Sequence, residues 1–275
     1  MCILFVALDV HPQYPLILCA NRDEFHHRPT EPAHFWPPDK QLLAGKDLEA
    51  GGSWLGVNRQ GEIAALTNIR APELHEANRH SRGDLVIRAL TQSQTMTTPW
   101  LMEHSQHYNP FNLLFGKDLD LYCYHSISKT VKPLSPGFHA ISNGALDDIW
   151  PKMAKGTQAL EQEIGRSGEI DIQALLTIMT DERQAPDEDL PQTGVALEWE
   201  RLLSSIYIKH PEYGTRSTSI FLRDKQGKCE FIEVRYDGKG RNLGKQVFKF
   251  AAAPRMRPPR IMNRRNLPNP TSDRE

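Results

Sequence analysis

The chain has 275 residues, with 33 basic and 34 acidic side chains and a formal net charge of −1. This length admits one large domain or two small ones with a core that needs no staples, and the balanced charge gives no bulk attraction to nucleic acid. Four scattered cysteines without Cys-x-x-Cys spacing fit reduced thiols in a cytoplasmic protein, and neither a signal peptide nor an integral membrane segment is legible.

Residues 1–7 and 16–20 are apolar runs flanking a turn with His11-Pro12 and Tyr14-Pro15, which predicts a buried β-hairpin. The second run ends in Asn21-Arg22-Asp23-Glu24. Antiparallel pairing brings that end beside Cys2. Removal of the initiator Met would give Cys2 a free α-amine, with an ordinary pKa of about 7.7–8.0. A thiol and a base in one residue make a self-activating nucleophile, and a nearby guanidinium favours the thiolate. The bland alternative is a small buried hydrophobe on an apolar strand.

Arg28 to Pro38 contains four prolines and is predicted to be a loop anchored by Phe35 and Trp36. Residues 51–57 lead into the turn Asn58-Arg59-Gln60-Gly61, and residues 62–68 return as a strand ending on Asn68. Residues 71–82 read as polar loop, with His75 and His80. Leu85, Val86, Ala89 and Leu90 are spaced as on an amphipathic helix over 83–92. A second helix covers 98–107, with Pro99 in its first turn. There His104 and His107 read as an exposed polar face rather than a metal pair.

Strands are predicted at 112–115 and 119–125, and residues 137–144 read as a strand running into a turn, with Asn143-Gly144 at its end. Helices follow at 151–164 and 172–179, an acidic loop at 180–194 and a short helix at 196–205. Closing strands lie at 216–222, 230–236 and 246–250. This order suggests sheets packed together with helices outside, within a single domain over 1–250. Residues 251–275, with six arginines and five prolines, read as a disordered tail.

Met1-Cys2-Ile3, Ala20-Asn21-Arg22-Asp23-Glu24-Phe25, Gly51-Gly52-Ser53-Trp54-Leu55-Gly56, Ala64-Ala65-Leu66-Thr67-Asn68, Phe111-Asn112-Leu113 and Tyr213-Gly214-Thr215-Arg216 together resemble the NRDE family, also called the transport and Golgi organisation protein 2 family. The resemblance covers nearly the whole chain. It implies an α+β fold, the four-layer αββα sandwich of N-terminal-nucleophile hydrolases, and a role in haem mobilisation.

The sequence also resembles the bile-salt hydrolase and penicillin V acylase branch, which implies a catalytic set of Cys2, Arg22, Asp23, Asn68, Asn143 and Arg216. In that branch the Arg and Asp are two residues apart, whereas Arg22 and Asp23 are adjacent. Neighbours on a strand face opposite ways, so either Asp23 or Glu24 faces Cys2. The haem role implies reversible binding of haem, or of another small amphipathic molecule, and transfer to apo-haemoprotein acceptors. Cys2, His26 and His27 are then candidate iron-facing groups, and Arg22 and Arg28 candidate propionate partners. A Cys2-dependent amide hydrolase and a lipid-metabolite carrier without chemistry are the alternatives.

Overall fold

The computed structural model describes residues 2–38, 40–166 and 168–252. Apart from residues 251 and 252, the predicted tail lies outside the described residues. In chain order the strands and helices are β1 (Cys2–Leu8), β2 (Leu16–Phe25), β3 (Thr30–Phe35), β4 (Leu42–Asp47), β5 (Leu55–Asn58), β6 (Glu62–Asn68), α1 (Gly83–Thr91), α2 (Thr98–His104), β7 (Phe111–Lys117), β8 (Asp120–His125), β9 (Thr130–Pro133), β10 (Gly137–Ile141), α3 (Pro151–Ile164), α4 (Ile172–Met179), α5 (Leu197–Leu202), β11 (Tyr213–Arg223), β12 (Lys228–Tyr236) and β13 (Asn242–Ala251).

The helices start where local chemistry starts them. Thr97 accepts a hydrogen bond from the Trp100 N–H ahead of α2, and Asp171 accepts from the Gln173 N–H ahead of α4, so each satisfies a first-turn donor. Pro151 opens α3, where its missing N–H costs nothing.

The strands form two antiparallel sheets. One runs β10-β1-β2-β11-β12-β13 and the other is a meander from β3 to β9 in chain order. Three apolar clusters define four layers. Leu4, Val6, Leu8, Leu16 and Leu18 of the first sheet meet Val57, Ile63, Ala65 and Leu114 of the second. On the outer side of the first sheet, Ile3, Phe5, Ile17 and Ile220 pack against Met153 and Leu160 of α3 and Leu175 and Met179 of α4. On the outer side of the second, Ala64, Leu66 and Leu113 pack against Leu85, Val86 and Leu90 of α1 and Leu101 of α2. This is the αββα sandwich that the resemblance implied. No helix among the described residues is long and apolar enough to cross a membrane.

Two local expectations change. The proline-dense stretch after Arg28 contains strand β3 rather than only loop. It is tolerated because β3 is an edge strand, and because its pairing with β4 shifts register between Glu31 and His34, around Pro32. A proline N–H is not missed at an edge or at a bulge. The expectation also passed over β4 and β9. Gly45 lies inside β4, where a side chain would strike Trp54, and β9 is a short edge strand of only four residues.

Candidate functional site

Pairing of β1 with β2 sets the site. Cys2 stands opposite Arg22, and Ile3 opposite Asn21. Even-numbered residues of both strands (Leu4, Val6, Leu8; Leu16, Leu18, Ala20) face the other sheet, whereas Ile3, Phe5, Ile17 and Cys19 face the helices. By the same alternation Cys2, Arg22 and Glu24 belong to the inter-sheet face, and Asn21 and Asp23 to the helix face. Both carboxylates are therefore near Cys2, on opposite sides of the sheet.

At this end of the sandwich a polar cleft of about 350 Å³ opens over Cys2, Arg22, Glu24, Arg28, Asp47, Trp54 and Asn68, with Arg79, His80 and Arg82 across it. The Arg22 guanidinium is buried, lies 4.6 Å from the Trp54 ring centroid and donates to Asp47 over 3.3 Å. Its Nη1 has no partner among the described residues. Arg28 donates to the same Asp47 carboxylate at 2.6 Å. Asp47 also accepts the N–H groups of Glu49 and Ala50. Burial alone would raise the Asp47 carboxyl, but Arg28, the Ala50 N–H and Arg22 together hold it below the usual range.

Burial pushes the Cys2 thiol above its ordinary value, and the Asp23 carboxylate adds to the push. The chain's amino-terminal charge, Arg22 and a hydrogen bond from the Asp23 backbone N–H oppose it. Cys19 and Cys123, inside the cores, are pushed up to about 12 by burial. The Asp23 side chain is held on the helix side, where its Oδ1 accepts from Thr215 Oγ1 at 2.7 Å. Burial raises its carboxyl against the pull of the amino terminus, Lys152, Thr215 and Arg22.

Asn68, at the end of β6, lines the cleft, and among the described residues its carboxamide makes no hydrogen bond that would occupy its donor. Asn143 lies one layer below and does not line it. Its Nδ2 donates to the Asn68 carbonyl at 2.9 Å, while its Oδ1 accepts from Lys152 Nζ at 3.1 Å, Ser142 Oγ at 3.2 Å and Arg70 at 3.4 Å. Three donors on one oxygen fix which way this amide points. Arg216 also lies outside the cleft. Its Nη1 donates to the carbonyls of Phe25, His26 and Arg28, clasping the turn after β2.

His26 and His27 do not reach the cleft either. His26 Nε2 lies 2.9 Å from the His210 carbonyl, and exposed His27 stands beside the Phe25 ring. The residues expected from the sequence thus divide. Cys2, Arg22, Arg28 and Asn68 meet at one floor with Asp23 beneath them, and Asn143, Arg216, His26 and His27 act elsewhere.

The cleft continues into a second lobe of about 710 Å³, lined by Phe25, Ile69, Pro72, Trp199, Leu203 and Tyr213, with His75 and Arg70. Glu24, Arg28, Asn68, Arg82 and Asn109 border both compartments. The sequence reading left out Asp47, Trp54, Arg70, His75, Arg82, Lys152 and Glu200 as site residues. Those from loops carry no periodic signal. Lys152 does carry one, since it falls on the buried stripe of α3 formed with Gly156, Leu160 and Ile164.

The family model described as Transport and Golgi organisation 2 matches residues 1–238. The Bos taurus Transport and Golgi organization protein 2 homolog is 36% identical over 259 residues, covering 85% of this chain and 92% of the relative. Among solved structures, the Caenorhabditis elegans N-acylethanolamine-hydrolyzing acid amidase ortholog aligns with a TM-score of 0.43 and 12% identity, over 80% of this chain and 92% of that one. The C2A mutant of the conjugated bile acid hydrolase from Clostridium perfringens aligns with a TM-score of 0.41 and 10% identity, over 92% and 98%.

Proposed function

The chain belongs to the Transport and Golgi organisation 2 family, and from that premise we propose that its cleft binds haem, or an amphipathic molecule of similar build, reversibly and hands it to an apo-haemoprotein acceptor. One observation carries this reading. A thiol-bearing polar floor adjoins a more apolar lobe, and Arg28 and Arg82 border both. The lobe's volume falls within the range of about 300–1,000 Å³ common for small-molecule sites. Its aromatic and aliphatic walls suit a flat apolar body, and the junction guanidiniums suit its carboxylates. Cys2 is the iron-facing candidate at the floor, and His75 replaces His26 and His27 as the imidazole within reach of the lobe.

The test is a haem titration of the purified protein followed by absorbance. A saturable spectrum that Cys2→Ala alters, because thiolate and imidazole act differently on iron, supports the reading. Arg28→Gln should weaken binding by about 1.5–3 kcal/mol if it meets a propionate. Failure of wild-type protein to give a saturable spectrum refutes haem binding.

A second reading, a Cys2-dependent amide hydrolase, is favoured by Asn68 lining the same cleft as Cys2. Such a donor stabilises a tetrahedral oxyanion by about 2.7–4 kcal/mol in comparable sites. A thiol-directed acyl probe should then label Cys2 far faster than Cys19 or Cys123. Equal slow labelling of all three would exclude it and leave a carrier without chemistry.

A further inference from the structure

The charge of the chain is balanced in total but not along its length. Residues 237–275 hold ten basic and three acidic side chains while the whole chain carries −1, so this last stretch carries +7 and residues 1–236 carry −8. An asymmetry of this kind marks a segment suited to an anionic surface.

Strand β13 lies inside that stretch, at the open edge of the first sheet. Phe248 and Phe250 turn inward against Phe35. By alternation Lys245, Val247 and Lys249 point outward, and all three are exposed. Lys228 and Glu230 of β12 share this face, paired with Ala251 and Lys249. Leu243, where the two strands change register, is 57% exposed, and Val247 is 45% exposed. Glu230 pairs with Lys249, and Asp237 with Arg241. Among the described residues no acidic partner engages Lys228, Lys239 or Lys245, and all three are exposed. Lysines on an edge strand discourage pairing with another strand. That accounts for the lysines, but not for two large apolar side chains set among them.

We propose that the outer face of β13 docks on an anionic lipid bilayer. Leu243 and Val247 enter the headgroup boundary, and Lys228, Lys239 and Lys245 meet the lipid phosphates and carboxylates. The sequence that follows adds Arg255, Arg257, Arg260, Arg264 and Arg265, of the same sign. Because those residues are basic like the face itself, they do not suit it as an occupant. A second copy paired antiparallel about Val247 would set Lys245 against Lys249, and like charges directly opposite are destabilising. A nucleic acid would match the charge, but the outer face of β13 presents no aromatic side chain for base stacking.

Cosedimentation of the full chain with vesicles tests this, using phosphatidylcholine alone and an equimolar mixture with phosphatidylserine. The expected result is binding to the mixed vesicles only, weakened by salt. Lys239→Ala with Lys245→Ala should lower the partition constant about thirtyfold, at about fivefold for each lysine. Leu243→Ser with Val247→Ser should lower it by a similar factor at every salt concentration, because apolar burial is not screened. All four side chains are exposed, so each double variant should keep the wild-type Tm. Equal binding to both kinds of vesicle, or none to the mixed ones, overturns the proposal. So does binding that neither pair of substitutions changes, which would assign the attraction to the arginines beyond β13. Loss through the lysine pair alone, with a single-stranded oligonucleotide displacing the vesicles, overturns it in favour of a nucleic-acid surface. A dimer in sedimentation velocity that the serine pair abolishes, without vesicle binding, overturns it in favour of a second copy.

Discussion

Gly156 packs α3 against Phe5, whose ring is fully buried. A Cβ added at Gly156 would stand 2.0 Å from Phe5 Cζ and 2.5 and 2.7 Å from the two Cε atoms, where ordinary contact begins at 3.4 Å. Phe5 is fully buried in one cluster with Ile3, Ile17 and Met153, so relief of the clash requires the ring or the helix to shift within a packed core. In Gly156→Ala two effects oppose. Helix propensity favours Ala by about 0.8–1.0 kcal/mol, and overpacking a tight core costs about 1–3 kcal/mol. A contact this short, against a ring rather than a flexible chain, belongs in the upper part of that range. The net loss is then about 1–2 kcal/mol. At about 2–4 °C per kcal/mol for a chain of this size, Tm falls by about 2–8 °C. Thermal and urea melts would measure it, with the urea slope unchanged. A Tm equal to or above wild type would refute the reasoning, since propensity would then have won and the Phe5 contact would be soft.

Glu200→Gln leaves Arg70, now 2.5 Å from the Glu200 carboxylate with both side chains almost wholly buried, as an uncompensated charge; urea denaturation should show a loss of about 3–5 kcal/mol. Asn21→Leu keeps the branched shape but strips the Met179 and Ile206 carbonyls of donors at 2.8 and 2.9 Å and Thr218 of its acceptor. Each abandoned buried group costs about 1–3 kcal/mol, so a loss under about 1 kcal/mol would count against the assignment. His139 bonds Asp147 through Nδ1 at 2.8 Å and the Ser135 carbonyl through Nε2 at 2.7 Å, and its pKa is raised, first by the Asp147 hydrogen bond. The stability it supplies is therefore complete below its unfolded value of about 6.5 and is lost as pH rises through the folded value. The Tm difference between wild type and His139→Gln should shrink over that window, and a difference that grows with pH would contradict the pairing.

Much of the fold was legible because its signals are periodic. The stripe at 151–164, the spacing over 83–92 and the hairpin at the amino end each became the element expected of them. What was missed followed from tertiary context. Pro32 argues against a strand until the bulge and the edge position are known. The site was legible only where it sits on paired strands: Cys2 beside Arg22 is a consequence of a short hairpin. Asn143 and Arg216 were placed by likeness to a motif. In the structure Arg216 donates to backbone carbonyls of the turn after β2, and Asn143 is held between the Asn68 carbonyl and the Lys152, Ser142 and Arg70 side chains. Loop residues such as His75, Arg79 and Arg82 converge on the cleft from a segment with no repeating pattern. Lys152 could have been noticed, since a lysine in line with Gly156, Leu160 and Ile164 breaks an apolar face.

The four polar residues that end β2 show why such a run can close a buried strand. Strand alternation sends them to different layers, and each finds a partner from a different element. Asn21 ties the sheet to the end of α4 through the Met179 carbonyl. Arg22 crosses to Asp47 on the opposite sheet. Asp23 turns back to Thr215 at the bulge in β11. Glu24 faces the cleft, and although burial would raise its carboxyl, the amino-terminal charge, Arg22, the Phe25 N–H and Arg28 hold it low. The run is therefore a joint between layers before it is a set of reacting groups. The cleft receives Arg22 and Glu24 as side chains and Asp23 through its backbone N–H at the Cys2 sulfur. Any chemistry at Cys2 would depend on that joint staying closed, so a substitution at any of the four must be judged by stability and thiol reactivity measured on the same protein.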